Sequence, residues 1–175
     1  MVGNKKSQTI KDITLISIMI TILFVQEQLL SSFPGIQLTI FLLVLFSKKL
    51  GLLKTIIIVL VHVLLDNLVM SSFSLLYTPS MLIGWLIIPI TLCTIFKKVN
   101  SSLILGLLGA LYAFIYSWLF ILSSYLVMNV NILTYFLYDI IFELILAACS
   151  FVSILLLYKP CSIVIDTFYK KTLRK

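Results

Sequence analysis

The sequence has few charged residues, and this scarcity excludes a soluble protein. Charged side chains make up 11% of its 175 residues, whereas hydrophobic side chains make up 62%. A soluble domain has about 25% charged and about 45–50% apolar residues. A chain of this length could not bury so much apolar surface in a core of its own. The composition therefore predicts an integral membrane protein.

The sequence also lacks the motifs of common enzymes and ATP-binding proteins. It contains no His-Glu-x-x-His zinc-protease motif, no Gly-x-Ser-x-Gly nucleophile elbow and no glycine-rich phosphate loop. Tyr138 and Asp139 form half of an intramembrane aspartyl protease signature, but no Gly-x-Gly-Asp supplies a second aspartate. Cys93, Cys149 and Cys161 share no close spacing, so we expect free thiols. We expect no enzyme activity, no metal site and no cofactor.

What the sequence does contain is a series of long apolar segments. A membrane-spanning helix needs about 20 predominantly apolar residues. Several segments approach that length, and the connections between them are short. We therefore predict an all-α integral membrane protein with a single domain over residues 1–175, folded as a compact bundle of six transmembrane helices. The predicted spans are residues 12–30, 36–53, 54–70, 79–96, 103–128 and 132–157.

The basic residues all fall on one side of such a six-helix chain. The 13 Lys and Arg residues precede span 1, lie at the turn where span 2 meets span 3, follow span 4 or follow span 6. The loops at 31–35, 71–78 and 129–131 carry none. Because cytoplasmic loops are enriched in Lys and Arg, we predict a multi-pass protein of the cell membrane with both termini in the cytoplasm. The net charge of +7 then reflects topology, and no nucleic-acid partner is expected.

The predicted topology places most intramembrane polar residues in the outer half of the bundle. Ionisable groups within a membrane are costly and tend to mark function. His62 and Asp66 are four residues apart, as are Asp139 and Glu143, so each pair shares one helix face. We expect these faces to line a polar cavity that is open to the outside. The predicted substrate-binding residues are Gln26, Glu27, His62, Asp66, Asn67, Trp85, Asp139 and Glu143.

An alternative is that these polar groups pair with one another and only hold the helices together. Interhelical hydrogen bonds in membranes contribute about 0.6 kcal/mol on average, which is too little to offset the cost of burying several carboxylates.

The outer half also has no Lys or Arg, so an anionic cargo would meet carboxylates without a compensating cation. We therefore favour a binding site for a neutral or cationic molecule.

The last apolar segment, YFLYDIIFELILAACSFVSILLLYKP, resembles the final helix of S components, the substrate-capturing subunits of energy-coupling factor (ECF) vitamin transporters. In that family an Asp near the outer end is followed by a polar position one turn later and then by an apolar run that ends in Lys-Pro. The six-span plan and the FPG sequence after helix 1 agree with the family as well. The positions that match this layout are Asp139, Glu143, Lys159 and Pro160.

The resemblance implies capture of a vitamin or related micronutrient from outside the cell. It also implies partners, namely a transmembrane coupling subunit and two ATPase subunits that hydrolyse ATP. Many family members dock on the coupling subunit through an Ala-x-x-x-Ala pair in helix 1. This chain has Ser17 and Thr21 at that spacing, which are small residues like the two alanines but differ from them in identity. We take these two residues as the candidate partner-docking pair.

A second class of protein shares the chain length, the number of spans and the intramembrane acidic residues. It comprises membrane scaffolds of the cell-wall elongation machinery, of the rod-shape-determining type. The Lys-Pro end of span 6 and the concentration of polar residues in the outer half favour the S component. The two hypotheses differ in ligand binding, since a small molecule should stabilise a capture protein but not a scaffold.

Overall fold

The structure, a computed structural model, describes residues 2–69 and 77–173. These residues form six α-helices and contain no β-strand. The prediction of an all-α protein is therefore confirmed. Each predicted span corresponds to one helix, although residue 70 and most of the predicted 71–78 loop lie outside the described residues. The helices are α1 Val2–Leu30, α2 Thr39–Leu50, α3 Leu52–Val69, α4 Tyr77–Cys93, α5 Ser102–Met128 and α6 Ile132–Leu173.

Four helical segments of the described chain are long and apolar enough to cross a membrane. The fourth helix, α4, is also apolar but has only 17 residues. With 12 residues, α2 is about 18 Å long, which is less than the roughly 30 Å hydrocarbon core of a bilayer. The structure thus supports a membrane protein. The four segments are Ile10–Leu30, Leu52–Val69, Ser102–Leu126 and Ile132–Phe168.

The sixth helix extends well beyond its predicted end at residue 157. It has 42 residues and continues through Pro160 to Leu173. Hydropathy falls at Lys159, which is why the sequence predicts an earlier end. The helix continues because its later turns still make contacts: Ile165 is buried, and Asp166 lies 2.6 Å from Lys49 at the end of α2.

The short helix α2 lies at the centre of the fold. It packs against α1, α3, α4, α5 and α6, and ten of its 12 residues are buried. A helix that is apolar on all sides is typical of such a core position.

Contacts of Lys side chains bring alternate helix ends together at one end of the bundle. Lys54 at the start of α3 pairs with Asp12 of α1 at 2.6 Å. Lys48 near the end of α2 donates a hydrogen bond to the Phe96 carbonyl, just after α4, at 2.6 Å. Together with the Lys49–Asp166 pair, these contacts define what we call the basic end.

Hydroxyl and amide groups connect the helices at the opposite end, which we call the polar end. The Thr78 hydroxyl donates a hydrogen bond to Asn67 Oδ1 at 2.7 Å and so joins α4 to α3. The hydroxyls of Tyr77 and Ser124 lie 3.4 Å apart and join α4 to α5. The helices therefore alternate in direction between the two ends.

The helices α5 and α6 approach each other closely because glycine faces the contact. A Cβ atom on Gly106 would lie 3.1 Å from Cδ2 of Phe151 and 3.3 Å from its carbonyl oxygen. A Cβ atom on Gly109 would overlap the Cδ1 atom of Ile154. Small residues allow such close approach of membrane helices, so this face of α5 serves internal packing.

This close contact can be tested with a compensating pair of substitutions. Gly109→Ala should destabilise the protein by about 1–3 kcal/mol, as overpacking does, because the new methyl group collides with Ile154. Ile154→Val removes the colliding carbon and alone should cost about 0.5–1.5 kcal/mol. The double variant should therefore lose less stability than the two single variants lose together. Thermal unfolding in detergent micelles measures each loss. Strictly additive losses would contradict the contact.

Candidate functional site

Buried polar atoms without hydrogen-bond partners mark the candidate site. Nearly all buried polar groups in proteins are hydrogen-bonded, so each exception needs a water, an ion or a ligand as its partner. Within the described residues, α1, α3 and α4 carry several such atoms near the polar end. These atoms are Glu27 Oε2, Gln28 Nε2, His62 Nδ1 and Nε2, Asp66 Oδ1 and Trp85 Nε1.

Three of these residues form what we call the α1–α3 cluster: Glu27, His62 and Asp66. His62 is fully buried, and its Nε2 atom lies 2.9 Å from Glu27 Oε2, without the alignment of a hydrogen bond. Asp66, one turn after His62, interacts electrostatically with both residues. The sequence has no Lys or Arg between residues 12 and 47 or between residues 55 and 96. The cluster therefore sets two carboxylates against a single imidazole.

An aromatic pair lies next to this cluster. Trp85 of α4 is fully buried and stacks on Tyr116 of α5, with ring centroids 4.0 Å apart and planes inclined by 20°. Tyr116 also interacts electrostatically with Glu27 and Asp66. Gly84 makes room for the tyrosine, because a Cβ atom there would lie 2.7 Å from Tyr116 Cδ2. Tyr116 thus joins the aromatic pair to the α1–α3 cluster.

Sequence reasoning did not include Tyr116 among the site residues. Its only signal in the sequence is a tyrosine within an apolar helix, and Tyr112 shows the same signal. The structure separates the two, because the Tyr112 hydroxyl lies 2.6 Å from the Thr91 hydroxyl and so has a partner in the fold. Packing between α4 and α5 was needed to distinguish them.

A cavity of about 250 Å³ opens beside the cluster, at the connection between α1 and α2. Glu27 and Tyr116 form part of its wall, together with Phe142 of α6 and residues of the connection, including Phe33 and Pro34. Pockets for drug-sized ligands have volumes of about 300–1,000 Å³. This cavity is therefore suited to a small molecule with a single ring. A carboxylate and an aromatic face are available for its recognition.

Two predicted site residues, Gln26 and Asn67, hold helices in place instead. Gln26 Oε1 accepts a hydrogen bond from the Leu38 N–H at 2.9 Å. Gln26 Nε2 donates to Thr39 Oγ1 and to a carbonyl of its own helix, which uses both of its hydrogens. Asn67 accepts from Thr78 and donates back to α3. With these partners in the fold, we leave both residues out of the proposed ligand contacts.

Asp139 and Glu143 lie apart from the α1–α3 cluster, and we call them the α6 carboxylate pair. Glu143 is 1% exposed, and its Oε1 atom has no hydrogen-bond partner among the described residues. Glu143 interacts with Asp139 and with the indole of Trp118 on α5. Trp118 and Tyr116 are two residues apart, hence about 200° apart around the helix. The structure thus divides the predicted residues into two groups on different sides of α5.

The predicted docking residues Ser17 and Thr21 lie on an exposed face of α1. The Thr21 hydroxyl donates a hydrogen bond to the Ser17 carbonyl at 2.9 Å, so this hydroxyl has its hydrogen-bond partner within α1. The neighbouring Ile18 and Ile22 are 43% and 44% exposed. This side of α1 is therefore not covered by the rest of the described bundle.

No protein-family model, curated protein or solved structure matches this chain. Among the described residues, no group of three or more His, Cys, Asp or Glu side chains is placed to hold a metal ion. The function is therefore argued from the geometry of the site.

Substitutions at two neighbouring residues can distinguish a ligand-binding role of the α1–α3 cluster from a purely structural one. Asp66→Asn should leave the thermal stability of the ligand-free protein unchanged or raise it, because it removes one of two adjacent buried charges. The control Asn67→Leu should destabilise by about 1–3 kcal/mol, because the Thr78 hydroxyl loses its acceptor. Thermal unfolding in micelles compares the two variants. An equally large loss for Asp66→Asn would assign the α1–α3 cluster a structural role.

Proposed function

We propose that this chain is the substrate-capturing S component of an ECF-type importer. In this role it binds a vitamin or related micronutrient from outside and delivers it with a transmembrane coupling subunit and two ATPase subunits. The observation that carries the proposal is the α1–α3 cluster, whose buried and unpartnered polar atoms lie beside a cavity at the polar end. A purely structural cluster would leave fewer such atoms without partners.

The proposal includes six membrane crossings with both termini in the cytoplasm. The Lys contacts at the basic end support it, because they gather the end of α2, the start of α3 and the end of α4. Cytoplasmic enrichment of Lys and Arg then makes the basic end the inner one. The short α2 is compatible with a crossing, since non-helical backbone at membrane depth is tolerated where protein surrounds it.

The chemistry of the α1–α3 cluster favours a neutral or cationic ligand with hydrogen-bond donors. Glu27 and Asp66 offer carboxylate oxygens, and His62 can accept or donate. Tyr116, which lines the cavity and is supported by Trp85, can contact a ring of the ligand. Vitamins that contain a pyrimidine, pyridine or thiazolium ring have this combination of features.

The coupling subunit would contact the exposed face of α1 that carries Ser17 and Thr21. Small residues at this spacing let another membrane helix approach closely. The exposed Ile18 and Ile22 beside them would extend the contact. Partner binding at α1 would leave the cavity between α1 and α2 open at the polar end.

Ligand-dependent thermal stabilisation tests the proposed capture function. Purified protein is heated with a panel of pyrimidine, pyridine and thiazolium vitamins, and a ligand at 100 times its Kd should stabilise it by about 2.7 kcal/mol. Glu27→Gln and Asp66→Asn should abolish the effect, whereas the control Asp12→Asn at the basic end should keep it. Stabilisation by pantothenate or biotin alone would overturn the charge argument. No stabilisation by any vitamin would favour the scaffold hypothesis.

Labelling of single cysteines tests the topology. In a variant whose native cysteines are replaced by serine, Ser32→Cys and Asn131→Cys should react with a membrane-impermeant maleimide in intact cells. Lys98→Cys should react only after the membrane is permeabilised, because it follows an even number of crossings. Labelling of Lys98→Cys from outside would show that the α2 segment does not cross.

A further inference from the structure

An apolar groove lies between α5 and α6, across α5 from the α1–α3 cluster. Its volume is about 680 Å³, within the range for drug-sized ligands. Trp118, Ile121 and Leu122 line it from α5, and residues 131–133 and Phe136 line it from the start of α6. We call it the α5–α6 groove.

The α6 carboxylate pair lies further along the same face of α6. At about 100° per residue, Phe136 and Glu143 differ by about 20° around the helix, and Asp139 lies within about 60° of both. On the α5 side, Trp118 lines the groove and also interacts with Glu143. Trp118 therefore joins the apolar groove to the α6 carboxylate pair.

Within the described residues, no ion pair joins the α6 carboxylate pair to a basic side chain. The sequence contains no Lys or Arg between residues 99 and 158. The ionisable groups with which Asp139 interacts are Glu143 and Tyr135, neither of which is basic. Glu143 is almost fully buried, with one oxygen unpartnered. A buried carboxylate in a membrane requires a compensating partner, and a cation would provide it.

We propose that the α5–α6 groove and the α6 carboxylate pair form a second binding site, for a lipophilic organic cation that enters from the membrane. The apolar part of the cation occupies the groove between Ile121, Leu122 and Phe136. Its positive charge lies against the face of the Trp118 ring near Glu143, where cation–π attraction and attraction to the carboxylate act together. The apolar lining, the volume and the uncompensated charge all favour this occupant. The site does not depend on the vitamin capture proposed above.

Binding of tetraphenylphosphonium, a membrane-permeant organic cation, tests this site. Equilibrium dialysis of the full chain in neutral detergent should show saturable binding. Glu143→Gln should weaken it by about tenfold or more, equivalent to about 1.4 kcal/mol, and Trp118→Leu should also weaken it. Glu143→Asp should retain part of the affinity. The control Asp166→Asn removes a carboxylate of the same helix at the basic end, outside both proposed sites, and should leave binding unchanged.

Several outcomes would overturn the second site. Equal binding by the wild type and Glu143→Gln would show that the cation only partitions into the detergent. Loss of binding in Glu27→Gln but not in Glu143→Gln would assign the cation to the α1–α3 cluster. Size-exclusion profiles check the folding of each variant. If Glu143→Gln does not fold, Trp118→Leu decides the question, because Trp118 is half-exposed.

Discussion

A carboxylate among apolar helices is costly without a partner, and the stretches 12–47, 55–96 and 99–158, which carry Glu27, Asp66 and Glu143, contain no Lys or Arg to provide one. His62, fully buried beside Glu27, is the one histidine within those stretches. The fold leaves polar atoms of Asp66 and Glu143 without hydrogen-bond partners in the described chain. Both proposed sites rest on this imbalance, because a neutral donor or a cation from outside the chain would correct it.

The packing of the helices decides where these polar groups meet. The buried α2 occupies the centre, and the cavity beside the α1–α3 cluster lies next to the residues that precede α2. Gln26 satisfies the backbone at the start of α2, and the cavity opens beside the connection that follows α1. The glycine contacts between α5 and α6 hold these two helices together, and the α5–α6 groove lies further towards the polar end. The cavity and the groove are thus consequences of helix length and of close approach.

Several features of the fold and site could be predicted from the sequence because they depend on local composition. Long apolar segments indicate helices, and the positions of Lys residues group the helix ends as the structure does at the basic end. The spacing of His62 and Asp66 predicts that both side chains share one face of α3, and packing brings Glu27 of α1 to that face. The same reasoning could not separate Asn67, which bonds to Thr78, from Asp66, which has an unpartnered oxygen. The two residues are adjacent in sequence and differ only in what their neighbours on other helices offer.

The sequence by itself determined that this is an all-helical membrane protein with acidic groups embedded among apolar segments. Hydropathy and helical periodicity are properties of neighbouring residues, so they can be read along the chain. Only the tertiary structure decided that α2 is a short central helix, that Tyr116 stacks on Trp85, and that Asp139 and Glu143 face the other side of α5. These features depend on which helix lies opposite each face, and that is set by side-chain packing between residues far apart in sequence.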